Sequence, residues 1–194
     1  MLARKSNEFS GVNDYLKSEL KREIKHELIN GGVFAMAGAS KNHERLAGNI
    51  YGEFRNHLKG TPCDIFSSDM KVKIGSNFFY PDVMVVCDDT SDNEYYTESP
   101  VIIVEVLSKS TRRVDETIKL MSYINMLSVQ EYVLIEQDFV DLQVLRRSEN
   151  WLPKHYFLGD EVFFESIDLI LSVEEIYSRV HNEDMLEFLK AKSL

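Results

Sequence analysis

No apolar run in this sequence approaches the roughly 18–20 residues needed to cross a bilayer. The first residues also lack the apolar stretch of a signal peptide, so neither membrane insertion nor secretion is expected. Cysteine is scarce. Cys63 and Cys87 stand alone and far apart, in no metal-type spacing, and read most simply as free, buried thiols of a cytoplasmic protein. There is no glycine-rich phosphate loop, no Gly-x-Ser-x-Gly elbow and no His/Cys cluster; the five histidines are scattered. Nucleotide-loop, serine-hydrolase and zinc chemistry of the familiar kinds are therefore excluded. Low-complexity segments, internal repeats and Pro/Gly-rich linkers are missing too, so residues 1–194 read as a single domain.

Positive charge is also short. Lys and Arg number 22 against 32 Asp and Glu, a net charge of −10. Affinity for phosphate rests on Lys and Arg, so the bulk charge weighs against a nucleic-acid partner. Local patches keep one open: Lys17, Lys21, Arg22 and Lys25 in one place, Lys109, Arg112 and Arg113 in another.

What is present is a 44% hydrophobic content, enough for a sizeable core. The pattern predicts a helix over about 13–25, then a hairpin of His26–Ile29 and Val33–Ala37 around Asn30-Gly31-Gly32. Ser40 is placed to cap a second helix running to about Leu58 and stopped by Gly60. On that helix His43, Leu46, Ala47, Ile50, Tyr51, Phe54 and Leu58 share one face. Strands follow near 62–66 and 69–75, and Ser108 to Thr111 supply caps for a third helix to about Leu127. Its apolar face is Val114, Ile118, Met121 and Ile124. Glu131–Glu136 and Val140–Arg147 pattern as a hairpin; Trp151–Leu158 and Glu161–Phe164 continue the β-rich stretch. Helices are expected over 173–180 and 183–191. The order implies an α+β fold, a mixed β-sheet flanked by helices.

Two runs carry the chemistry. Asp82 opens Asp82-Val83-Met84-Val85-Val86-Cys87, and Glu105 lies inside Val101-Ile102-Ile103-Val104-Glu105-Val106-Leu107. Such β-branched runs without alternation read as strands covered on both faces. A carboxylate there is costly to desolvate unless a cation or several donors compensate it. On adjacent strands the two acids could share a divalent metal. The ordinary alternative for Asp82 is a turn cap, and for His43 a hydrogen-bonded core histidine.

Tyr80-Pro81-Asp82-Val83, then Ile103-Val104-Glu105-Val106-Leu107-Ser108, then Asp115, Lys119, Tyr123 and Glu131-Tyr132, resemble the Uma-two (Uma2) family of restriction-endonuclease-like proteins. That family lies within the PD-(D/E)XK nuclease superfamily. Glu27-Leu28-Ile29-Asn30-Gly31 looks like its opening hairpin, and Ser40 with His43 like the start of its first core helix. The resemblance covers about residues 13–150 and leaves a β-rich and helical extension over about 151–194. It implies a restriction-endonuclease-like fold and a homodimeric endonuclease hydrolysing DNA phosphodiesters with Mg²⁺ or Mn²⁺. Asp82 and Glu105 would be the metal ligands, with the Val106 carbonyl as a further one, and Lys119 would assist.

One departure stands out. The superfamily pattern has a lysine two residues after the second acid, where this chain has Leu107. The resemblance implies that Lys119, on the following helix, takes that place. By residue pattern alone Lys119 points away from the apolar face and forms a surface pair with Asp115, of a few tenths of a kcal/mol at most. Glu27, His43 and Asp69 are secondary candidates. Asp69 matches a recurring family position at a strand start and Glu27 is a possible third acid, while Tyr123 is expected to pack against the sheet. The alternative function is a catalytically inactive nucleic-acid-binding or protein-interaction module on the same fold.

Overall fold

Burial on both faces of the central strands decides the architecture. The strand Pro100–Leu107 is buried along nearly its whole length, so both of its faces must be covered, and the rest of the chain supplies two covers. The computed structural model describes residues 4–5, 11–89 and 93–192. In chain order these form β1 (Arg4–Lys5), α1 (Val12–Glu19), β2 (His26–Ile29), β3 (Gly32–Ala35) and α2 (Lys41–His57). Next come β4 (Cys63–Ser67), β5 (Lys71–Ile74), β6 (Asn77–Phe79), β7 (Val83–Cys87), β8 (Tyr96–Thr97) and β9 (Pro100–Leu107). A helical crossover follows, made of α3 (Arg112–Val114), a π-helical turn (Asp115–Lys119) and α4 (Leu120–Ile124). The chain continues through β10 (Glu131–Glu136), β11 (Leu142–Arg146), β12 (Pro153–Tyr156), β13 (Glu161–Phe164), β14 (Leu169–Ser172), α5 (Val173–Ile176) and α6 (Glu183–Lys192).

The central sheet has the order β12-β11-β10-β9-β7-β4. It is antiparallel except for β9 and β10, which run parallel because the helical crossover joins them. One face carries Ile102, Val104 and Val106 of β9 with Val83 and Val85 of β7, and packs on Leu46, Ile50, Phe54 and Leu58 at the α2 end. Val162, Phe164, Tyr177 and Met185 from the C-terminal segment join that same cluster. The other face carries Ile103, Leu107, Met84 and Val86 and packs on Tyr123 of α4 and on Ile29, Val72 and Phe79. The last three belong to a second sheet, ordered β1-β3-β2-β6-β5-β8. The strands thus form two six-stranded sheets where one mixed sheet was expected, with β13–β14 as a separate hairpin.

Several sequence expectations shift. The first helix stops at Glu19, where Lys21 and Arg22 amides turn back onto the Ser18 and Glu19 carbonyls. Ser40 does cap α2, accepting from the His43 amide at 3.1 Å, and Gly60 leaves it with φ of +86°. The helix expected over 173–180 shortens to Val173–Ile176, preceded by β14, which no alternation in Leu169–Ser172 announces. Cys63 and Cys87 are bonded to each other. They are not free thiols. The β4–β7 register sets them directly opposite, a proximity that a separation of 24 residues hides. With both cysteines in a disulfide, nothing in their chemistry points to a reducing compartment. No helix among the described residues is long and apolar enough to cross a membrane.

One buried ion pair ties the C-terminal segment to the central sheet. Glu131 and Arg146 are cross-strand partners, 1% and 2% exposed. Arg146 Nε donates to Glu131 Oε1 at 3.2 Å and Nη2 to the Phe163 carbonyl at 2.7 Å. Glu131 also accepts the Glu165 and Ser166 amides at 3.2 and 3.0 Å. Removing Glu131 leaves the buried Arg146 with only the more exposed Glu149 and Glu165, at 3.2 and 3.6 Å. Glu131→Ala is expected to lower unfolding free energy by about 3–5 kcal/mol, read by urea titration of Trp151 fluorescence. A loss below about 1 kcal/mol, the size of a surface change, would contradict this.

Candidate active site

The β7–β9 register pairs Val83 with Val104 and Met84 with Ile103. Continued by one residue, it sets Asp82 opposite Glu105, on one face of the pleat where cross-strand side chains meet. Strand alternation puts Glu105 on the Ile103 and Leu107 side, beneath the crossover. Asp82 is fixed from two directions. Its Oδ2 accepts the Val106 amide at 2.7 Å and lies 3.2 Å from His43 Nε2, at the start of α2. Burial alone would lower the His43 pKa, but the hydrogen bond and charge of Asp82 more than offset this and raise it above 6.5.

Around Glu105 the environment is drier. Lys119 Nζ sits 3.0 Å from Glu105 Oε1, 3.0 Å from Glu27 Oε1 and 3.2 Å from Asp115 Oδ1. All four residues are at most 4% exposed. Tyr123 donates its hydroxyl to the same Glu105 oxygen at 3.2 Å, and Glu27 Oε1 accepts the Tyr80 amide at 3.1 Å. Four carboxylates therefore share one ammonium and one imidazole. Burial, then the neighbouring charges of Asp115, Asp82 and Glu27, push Glu105 well above the usual carboxylate range despite Lys119. Burial raises Asp115 likewise. On Lys119 burial acts in the opposite sense. Desolvation would strip its proton, but Glu105, Glu27 and Asp115 together hold its pKa well above normal.

Lys119 corrects the surface-pair expectation. An ideal wheel at 100° per residue turns it outward, whereas the chain at Asp115–Lys119 is π-helical and wider per turn. The buried stripe is Asp115, Lys119 and Tyr123, at 1%, 4% and 0% exposure. Ile118 and Met121, assigned to the apolar face, are 39% and 57% exposed instead. Leu107 is buried in the core and contributes no polar group, so the lysine beside Glu105 comes from the crossover.

Of the sequence candidates, Asp82, Glu105, Lys119, Glu27 and His43 converge. Asp69 does not. Its side chain is 87% exposed in the turn before β5 and pairs with Lys25 at 2.9 Å. Asp115 was passed over as an ordinary helix-surface partner, and Tyr123 as packing alone. The signal for both was the polar spacing 115, 119, 123. Among the described residues no group of three or more His, Cys, Asp or Glu is arranged to hold a metal. Mg²⁺ does not require one, since one or two carboxylates with water and substrate phosphate commonly complete its shell. Asp82 and Glu105 could supply two such carboxylates, although Lys119 already stands beside Glu105.

Lys119→Met removes the only ammonium from this cluster. A loss of about 3–5 kcal/mol of stability is expected at pH 8. It should shrink toward low pH, because carboxylates whose folded pKa is raised are destabilising only while ionised. Urea unfolding at several pH values reads this; a small, pH-independent loss would contradict the buried-charge account.

A family model, Uma2, described as "Putative restriction endonuclease", matches residues 12–173. The chain is 35% identical over 170 residues to "Uncharacterized protein slr1290" of Synechocystis, covering 84% of this chain and 89% of that protein. It is 36% identical over 129 residues to "Uncharacterized protein sll1609" of the same organism, covering 64% and 73%. Its fold is similar to the crystal structure of "a putative nuclease belonging to DUF820" from Anabaena variabilis. That match has a TM-score of 0.74 and 17% identity, and covers 88% of this chain and 99% of the other. The likeness is one of fold, and its α+β, restriction-endonuclease-like architecture is the one described above. With most of its length matched by the family model, the chain belongs to the Uma2 family.

Proposed function

We propose that the chain is a metal-dependent endonuclease that hydrolyses DNA phosphodiester bonds at Asp82 and Glu105. The observation that carries this reading is the surplus of buried carboxylate around Lys119, with Asp82 set opposite Glu105 by the strand register. A structural core has no use for such a surplus, since replacing a buried ion pair by apolar residues is often neutral or stabilising. Membership of a family described as "Putative restriction endonuclease" supports the same class of reaction and DNA as the substrate.

Asp82 and Glu105 would hold Mg²⁺ or Mn²⁺, which supplies charge neutralisation at the phosphate and an acidified water. The remaining roles fall to the chain itself. His43 and the Val106 amide orient Asp82 through its Oδ2. Tyr123 and Lys119 hold Glu105 through Oε1 alone, leaving its second carboxylate oxygen out of those bonds. The Lys119 ammonium keeps its proton and adds positive charge where the phosphoryl group gains negative charge. Glu27 and Asp115 fix that ammonium between them.

A second reading, a non-catalytic binding module, is favoured by one observation: Glu105 is already paired with Lys119. Plasmid nicking separates the two. Supercoiled plasmid is incubated with Mg²⁺ or Mn²⁺ and wild type, Asp82→Ala or Glu105→Ala. The nuclease reading expects metal-dependent nicking by wild type and background nicking by both variants. Equal nicking by all three would remove it.

A further inference from the structure

The protein carries 22 cations against 32 acids, so cations that face a cavity without an acid partner stand out. Lys41 and Arg45 do so. They lie one turn apart on the first turns of α2 and line a groove of about 600 Å³. Neither makes an ion pair among the described residues; Arg45 only donates to Asn42 Oδ1 at 3.3 Å. The opposite walls are Gln137, Asp138 and His181. The His181 wall is fixed to α2 by a reciprocal pair, with Asn42 Nδ2 donating to its carbonyl at 2.8 Å and its amide donating to Asn42 Oδ1 at 3.1 Å. Asp138 is the one acid on the lining and is exposed.

The groove adjoins the acidic centre through bonded neighbours. Ser40 donates to Gln137 Oε1, and Gln137 Nε2 donates to the Leu107 carbonyl at 2.8 Å, two residues beyond Glu105. On the same helix His43, two residues past Lys41, reaches Asp82. On the nuclease reading, a strand with its phosphodiester at Asp82 and Glu105 would pass the start of α2, where Lys41 and Arg45 are placed to meet its next phosphate. The acidic centre itself repels a polyanion, so an adjoining cationic surface is what can hold the strand there.

We infer that the groove between α2, Gln137 and His181 binds a backbone phosphate of the nucleic-acid strand next to the one being cut. This rests on the nuclease reading and adds to it the path of the substrate strand. The contact is to phosphate, so it sets position and affinity without reading sequence.

The test measures binding apart from cleavage, with full-length protein and Ca²⁺ in place of Mg²⁺. A fluorescein-labelled DNA duplex is titrated by anisotropy with wild type, Lys41→Ala, Lys41→Ala/Arg45→Ala, and Arg55→Ala/Lys59→Ala. The last pair removes equal charge from exposed positions at the far end of α2. The Lys41/Arg45 variant is expected to bind roughly tenfold more weakly and to flatten the slope of log K against log salt by about 2. Lys41→Ala alone gives part of this, and melting temperature confirms folding. If wild type binds and the Lys41/Arg45 variant matches the Arg55/Lys59 control, the subsite is overturned and the nuclease reading stands. If wild type neither binds nor cuts DNA, the nuclease reading fails and the subsite with it.

Discussion

A single ammonium, Lys119, is gripped by Glu105, Glu27 and Asp115 within 3.2 Å, in a setting almost closed to water. Coulomb attraction in such a place is large, but so is the cost of removing every charge from solvent. Three structural units must meet for the contacts to exist: the opening hairpin bearing Glu27, the central strand bearing Glu105, and the crossover bearing Asp115 and Lys119. The second sheet is therefore tied to the first by charge as well as by the Ile29, Val72 and Phe79 packing. The π-helical turn makes this possible, since it aims Asp115 and Lys119 inward together.

Four carboxylates surround one ammonium and one imidazole. On the proposed function, that surplus of carboxylate would draw a divalent cation and would repel the polyanion the cation acts upon. On the same reading the conflict is resolved spatially, with acids in the pleat and Lys41 and Arg45 on the adjoining helix. Net charge is thus a poor guide to partner here. A value of −10 includes the carboxylates at the centre and says nothing of how the cations are distributed.

Much of this was legible in the residues. The apolar runs around Asp82 and Glu105 gave buried neighbouring strands, because β-branched runs without alternation have few other uses. Ser40 and Gly60 marked both ends of α2 through their own backbone chemistry. The family resemblance, read over about 13–150, extends to residue 173 in the family model. What was hidden is instructive. Lys119 was misplaced by an ideal helical repeat that π-helical geometry breaks. Asp69 was drawn in by pattern alone and lies exposed beside Lys25. Short β6, β8 and β14 depend on tertiary pairing and carry little local signal. The Cys63–Cys87 contact is a matter of register, which composition does not encode.

If the buried surplus of carboxylate exists to hold a divalent cation, binding should be measurable without any substrate. Calorimetric titration of the full chain with Mn²⁺, beside Asp82→Ala and Glu105→Gln, addresses this directly. The account predicts a saturable site in the wild type, lost or strongly weakened in both variants. Equal heats from all three proteins, or none from any, would contradict it.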